Sequence, residues 1–297
     1  MLLSTFPRDF ATNGTLDLNL LSFNIKGFKE RNFDYVRELY NKYDFLMLQE
    51  TWLYKFEENI VSKVLPGSNY CSTSAMEDDN IDRLGKPYGS CMIIWKRTLA
   101  SLVSQVNTLT PRVCAVTLTT KHDNLLFLSI YMPVNDNSKK SIEEAIKVLT
   151  EISRLSLEYK GYKIVMGGDF NIDFLRKPIT KITEIFIEFL MEESFLSNDD
   201  IFDNISFTFQ SNNVLRSTID HFIFTENFID YIKGFKTLYD ENNLSDHFPI
   251  VLNISLDNSL KYINDSSFKL NDNVSNWKSA NENVLLIIKQ FLMNYYH

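Results

Sequence analysis

The chain has 297 residues, 44% of them hydrophobic and 23% charged, and a formal net charge of −8. These proportions suit one globular domain with a single large core, and they exclude wholesale disorder and a membrane protein. The acidic balance excludes a protein that holds nucleic acid by bulk electrostatics, so any polyanion must be gripped locally or through a metal.

The opening residues "MLLSTFPRDF" have no basic segment followed by an apolar run, and residues 1–15 read as an N-terminal extension. "LDLNLLSFNIKGF" then alternates apolar and polar positions before Gly27, the pattern of a strand and a loop. "FDYVRELYNKY" has helical spacing, and "DFLMLQETWL" follows as a buried strand. "GSCMIIWKR", "VCAVTLTT" and "NLLFLSIYMP" are strand-like runs in series, which predicts an antiparallel meander ending at Pro133. "SIEEAIKVLTEISRLSLEYK" is helical, with Ser141 as its predicted N-cap, and it feeds the strand "YKIVMGG". A second amphipathic helix, "ITKITEIFIEFLMEESF", precedes the strands "SFTFQ", "STIDHFIFT" and "PIVLNISL". Strands in series broken by a few helices predict an α+β fold, a four-layer α/β sandwich of two packed, mainly antiparallel sheets flanked by helices. That domain spans residues 16–256; residues 257–297 read as a polar linker or tail ending in a short helix at "VLLIIKQFLM". No run reaches the roughly 18 apolar residues of a membrane span. Cys71, Cys91 and Cys114 have no metal-type spacing and leave one unpaired in any disulfide scheme, which fits a reducing compartment.

Acids and amides recur where apolar runs stop: Asn24 after "LLSF", Glu50 after "FLMLQ", Asp169 and Asn171 after "IVMGG", Asp220 after "STI", and Asp246-His247 before "FPIVL". A single such end is ordinary. Five of them, if the strands lie side by side, converge on one mouth with the makeup of a metal-assisted hydrolytic site. Carboxylate and amide oxygens without a Cys or His cluster suit a hard cation, Mg²⁺ or Mn²⁺, and not zinc; Mg²⁺ completes its shell with water and phosphate oxygens, so phosphate esters are the natural substrate. A carboxylate near His247, either Asp220 or Asp246, could keep its imidazole charged for a phosphoryl oxygen. In "GGDFN", Asp169 and Asn171 two apart are predicted to share one face, with Phe170 turned into the core. Gly167 and Gly168 are predicted to make room for the substrate backbone.

The ordered set "LLSFNIKGF", "LMLQETWL", "SIYMP", "VMGGDFN", "STIDHFIF" and "LSDHFPIV" resembles the endonuclease/exonuclease/phosphatase superfamily, over roughly Leu16 to Ser255. Within it, "LQETWL", "GKPYGSCMIIWK" and "FTFQ…STIDHF" most resemble the endonuclease domain of LINE-type non-LTR retrotransposons, which nicks target DNA to leave a priming 3′-hydroxyl. The resemblance implies roles residue by residue. Glu50 is the metal-binding glutamate, Asn24 supports the metal site, and Asp246 is the acid beside the catalytic histidine, counted with the metal. Asp169 aligns or deprotonates the attacking water, Asn171 contacts phosphate, and Tyr131 stands near the scissile phosphate. Asp220 orients the catalytic His247. Thr208 and Ser245 are similar to hydroxyl residues that touch DNA, and Asn135 is a substrate contact displaced by one position, Val134 standing where abasic-site enzymes carry asparagine.

The expected activity is therefore Mg²⁺-dependent in-line hydrolysis of DNA, with Mn²⁺ as a possible substitute. Loop cations such as Lys26, Arg112, Arg176 and Arg216 would line the groove. The implied partners are DNA and, in a longer parent polyprotein, a reverse transcriptase; the chain itself is expected to be a monomer with no membrane association. The expected location is intracellular, nuclear if the substrate is genomic DNA, and not secreted. Two other readings stand beside this one: a phosphatase or phosphodiesterase of a lipid or small phosphoester, and a silent remnant that binds DNA or a partner.

Overall fold

The computed structural model of the protein describes residues 15–75, 89–202, 206–211 and 215–256, so the N-terminal extension and the tail helix expected from sequence lie outside the described residues. In chain order the elements begin with β1 (Leu16–Asn24), α1 (Phe33–Lys42), β2 (Phe45–Gln49), α2 (Asn59–Val64), β3 (Asn69–Thr73), β4 (Cys91–Trp95) and β5 (Val103–Val106). They continue with β6 (Val113–Thr119), β7 (Asn124–Tyr131), α3 (Lys139–Glu158), β8 (Lys163–Asp169), α4 (Lys181–Glu192) and β9 (Phe195–Ser197). The last are β10 (Phe209–Ser211), β11 (Leu215–Ser217), β12 (Asp220–Thr225), β13 (Ile232–Thr237) and β14 (Ile250–Leu256).

Two six-stranded sheets result, in the orders β13-β14-β1-β2-β4-β3 and β5-β6-β7-β8-β12-β9, with β10 and β11 as a separate pair. Each large sheet is antiparallel except for its central pair, β1 with β2 and β7 with β8. These parallel pairs need crossovers, and helices α1 and α3 supply them. Helix α1 buries Tyr35, Val36 and Leu39 on one stripe, and α3 buries Ala145, Val148, Leu149, Ile152 and Leu155 at helical spacing. One apolar cluster fills the space between the sheets, joining Phe45 and Met47 to Phe127, Val165 and Phe222. A second lies under α3 and α4, and a third joins α1 and α2 to β1 and β2. The four layers expected from the sequence are therefore present.

Three local expectations change. The anticipated meander does not hold, because β4 pairs with β2 and β3 in one sheet, while β6 pairs with β5 and β7 in the other. Helix α3 starts earlier than expected: Ser138 is the N-cap, and its hydroxyl accepts from the Ser141 amide at 3.1 Å. "STIDHFIFT" is not one strand but the end of β11 and the whole of β12, broken at Thr218 and Ile219.

The glycine pair also has a different cause from the one expected. A Cβ at Gly167 would lie 2.8 Å from both Met47 Sδ and Phe222, and one at Gly168 would lie 2.2 Å from the Ile130 carbonyl oxygen. The room they make is filled by protein and not by substrate. Gly168→Ala is therefore expected to destabilise the fold by at least about 3 kcal/mol, because the obstacle is backbone and cannot rotate away. Urea unfolding measures it; a loss below about 1 kcal/mol would mean that β7 and β8 can part without cost.

Candidate active site

Strand register brings the acids together. In the second sheet Tyr131 of β7 pairs with Asp169 of β8, which pairs with Asp220 of β12, so three polar residues stand in one row at the sheet's end. In the first sheet Asn24 of β1 is level with Gln49 of β2, and Glu50 follows. His247 comes from the turn before β14 and makes a bridge with Phe209, whose ring meets the imidazole edge-on at 4.9 Å between centroids. The strand ends enclose a cavity of about 380 Å³ whose lining includes Asn24, Glu50, Tyr131, Asn135, Asp169, Asn171, Asp246 and His247.

Backbone conformation places several of these groups. Lys26, Glu50, Trp52 and Asn171 all have φ between 51° and 55°, in the left-handed region that costs side-chain-bearing residues energy and is concentrated at functional sites. At Glu50 this ends β2 and turns the carboxylate inward. At Asn171 it replaces the strand alternation that the sequence suggested: β8 ends at Asp169, and the Asn171 amide folds back to donate to Asp169 Oδ1 at 3.0 Å. The Asn171 side chain then donates to the Met132 carbonyl at 3.0 Å, while Phe170 is buried as expected.

One amide group ties the two sheets. Asn24 Nδ2 donates to Glu50 Oε1 at 3.1 Å and to Asp169 Oδ2 at 2.9 Å, which uses both of its hydrogens. Trp52 Nε1 donates to Glu50 Oε2 at 3.1 Å, so each oxygen of that carboxylate is fixed by a donor. His247 Nδ1 donates to Asp220 at 2.9 and 3.1 Å, and its Nε2 lies 3.7 Å from Asp169 Oδ2, too far for a hydrogen bond. Among the described residues, the ligand atoms of Asp169, Asp220 and His247 lie within 4.8 Å of one another.

Burial raises Asp169 to about 7; the Asp220 carboxylate adds to the rise, against the opposing pull of His247 and of the bonds from Asn24 and Asn171. For His247 burial acts the other way, but the Asp220 and Asp169 carboxylates outweigh it and raise the imidazole to about 9. The favoured pair near neutrality is thus a charged imidazolium facing an acid poised to exchange a proton. Tyr131 is pushed well up by burial and then by the Glu50 carboxylate, so its phenol stays neutral; Arg112 lies 5.1 Å from its ring centre.

The donors suit a hard divalent cation. Carboxylates of Glu50, Asp169 and Asp246 face one cavity, and no cysteine among the described residues lines it. Glu50 would hold such an ion, since it has no cationic side-chain partner among the described residues and its two oxygens are already oriented. Asn24 supports this carboxylate through Nδ2, while its Oδ1 accepts from the Lys26 amide at 3.1 Å. The Asp246 carboxylate, which lines the same cavity, takes the Lys26 ammonium.

Thr208 and Ser245 do not line the cavity. The Thr208 side chain is fully buried, and its hydroxyl accepts from the amides of Ile219 and Asp220, both at 3.0 Å. It holds in place the residue that orients His247, and it stands away from the cavity surface where a DNA contact was expected. Ser245 donates to the Asn24 carbonyl at 2.8 Å and accepts from the His247 amide at 3.2 Å, bracing the turn against β1. Asn135 Nδ2 donates to Thr183 Oγ1 at 3.1 Å, at the start of α4. Of the loop cations, Lys26 and Arg176 line the cavity, and Arg216 stacks 4.2 Å from the Phe207 ring centre. The indole clamp on Glu50 and the Phe209 ring against His247 had no sequence signal beyond an aromatic near an acid or a histidine.

The Endonuclease/Exonuclease/phosphatase family model matches residues 21–247. No curated protein matches the chain. Among solved structures, the endonuclease domain of TRAS1, a telomere-specific non-LTR retrotransposon, aligns at 19% identity and a TM-score of 0.61, covering 80% of this chain and 98% of that one. The AP endonuclease LMAP from Leishmania major aligns at 14% identity and a TM-score of 0.61, covering 80% and 87%. A variant of the 3′ phosphatase NExo from Neisseria, bound to product DNA hairpin, aligns at 17% identity and 0.60, covering 79% and 98%. With the family model spanning nearly every strand end that builds the cavity, the chain belongs to the endonuclease/exonuclease/phosphatase family.

Proposed function

We propose that the protein is a Mg²⁺-dependent phosphodiesterase that nicks DNA and leaves a 3′-hydroxyl, with Mn²⁺ able to replace Mg²⁺. The observation that carries this reading is the Asp220–His247 pair set 3.7 Å from Asp169, which is joined to Glu50 through the single amide of Asn24. Asp169 takes the proton of the attacking water, and its value of about 7 suits a base working near neutrality. The Nε2–H of His247 has no partner at hydrogen-bond distance in Asp169, so it is available to a phosphoryl oxygen; Asn171 borders the same space. Tyr131 limits the cavity beside Glu50. A cation on Glu50 supplies charge neutralisation for a substrate that would otherwise meet several carboxylates. DNA is the substrate proposed, the chain acts as a monomer, and a reverse transcriptase in a longer parent polyprotein is its proposed companion.

The pH profile follows from the same groups. Activity is expected to rise as Asp169 loses its proton near pH 7 and to fall as His247 loses its own near pH 9, giving a bell whose limbs belong to the coupled pair. Initial nicking rates at constant ionic strength measure it. A profile rising steadily through pH 10 would remove the charged imidazole from the reaction.

Supercoiled plasmid with Mg²⁺ tests the function. Open circles with extendable 3′ ends support the proposal. Release of phosphate from a lipid or small phosphoester without nicking would move the site to the second reading, and inertness toward both would mark a silent remnant.

A further inference from the structure

The ion pairs at the mouth are unequal, and this has a consequence for how many cations the site accepts. Asp220 and Asp169 face the His247 imidazole. Asp246 faces the Lys26 ammonium. Glu50 alone of these four acids has no cationic side chain against it among the described residues; Asp173, which also lines the cavity, has its two oxygens taken by the amides of Leu175 and Thr218. Lys26 is also held in place to do this. Its amide donates to Asn24 Oδ1 at 3.1 Å, its carbonyl accepts from Arg31 Nη2 at 3.1 Å, and its φ of 53° turns it back over the cavity. The ammonium is therefore anchored next to Asn24, the residue at the end of β1 that supports the Glu50 carboxylate, and set against Asp246.

Resting on the metal-dependent reading above, we propose that Lys26 serves as a built-in second cation, so that the protein binds one divalent ion, at Glu50, with Asp246 outside the ligand set. An ammonium and a hydrated divalent ion compete for the same carboxylate oxygens, and the tethered one pays no association cost. Removing its charge leaves Asp246 as an unpartnered acid at the edge of a cavity already rich in oxygen donors, the condition under which a second hard cation enters.

Mn²⁺ binding to the full chain, followed by calorimetry and by the loss of free-ion paramagnetic resonance signal, tests this without reference to catalysis. The parent is expected to bind one Mn²⁺, and Glu50→Gln none at the parent's affinity. Lys26→Met is expected to bind two, returning to one when Asp246→Asn is added. Lys26 is partly exposed, with 44% of its side-chain surface open, and thermal unfolding checks that Lys26→Met folds. Two ions in the parent, or one in Lys26→Met, would overturn the inference while leaving the metal-dependent reading standing. No ion in the parent would overturn both.

Discussion

Replacing Asp169 by asparagine is expected to reduce plasmid nicking by roughly 10²–10⁴-fold, the range over which a positioned general base contributes. The substitution keeps the shape of the side chain. The new amide oxygen can still accept from Asn24 Nδ2, which reaches Asp169 at 2.9 Å, and no cavity opens in a residue that is 1% exposed. What disappears is the ability to take a proton from water. The rising limb of the pH profile should disappear with it, since burial places that limb near 7. Steady-state nicking rates for the parent and variant, with thermal unfolding as a control for folding, give the result. A rate within about tenfold of the parent would assign the base to another group.

Asp220→Asn is expected to act through charge. Both Asp220 oxygens face His247 Nδ1, and this carboxylate is the strongest of the groups that lift the imidazole to about 9. Asparagine cannot stabilise an imidazolium to the same degree. The falling limb should then move to lower pH, and the rate at neutrality should drop by roughly 10²-fold, comparable with loss of one preorganised donor to the developing charge. A purely structural effect would lower the rate at every pH alike. A falling limb still near 9 in the variant would show that a group other than His247 titrates there.

Which residues meet around the cavity was largely legible in the sequence and the wiring was not. Asn24, Glu50, Asp169, Asp220 and His247 could be picked out because each interrupts an apolar run at a strand end, where a polar residue has no packing reason to stand. The sheet to which a strand belongs had no such signal. β4 and β6 are buried along nearly their whole length, so periodicity cannot tell which neighbour each one meets. Edge strands failed for the opposite reason: "VSQV" and "IKGFKT" are short and half-exposed, with little apolar pattern to count. Backbone sign is also invisible when the residue is not glycine. The left-handed turns at Glu50 and Asn171 are imposed by their surroundings, so the expected strand alternation at "GGDFN" named residues that do border the cavity, for the wrong geometric reason. Gly167 and Gly168 show the converse, since a glycine pair beside a reactive acid suggests a ligand while its space here is taken by Met47, Phe222 and a neighbouring carbonyl.

Asn24 lies 145 positions from Asp169 along the chain, and their hydrogen bond joins a strand of one sheet to a strand of the other. His247, the last residue of the matched region, closes the same cluster. The consequence is a form of quality control that needs no regulator. Neither half of the chain, nor a nascent chain still emerging from the ribosome, holds a complete set of reacting groups. The cluster is thus complete only at the last step of the chain's own assembly, when both sheets have formed and packed.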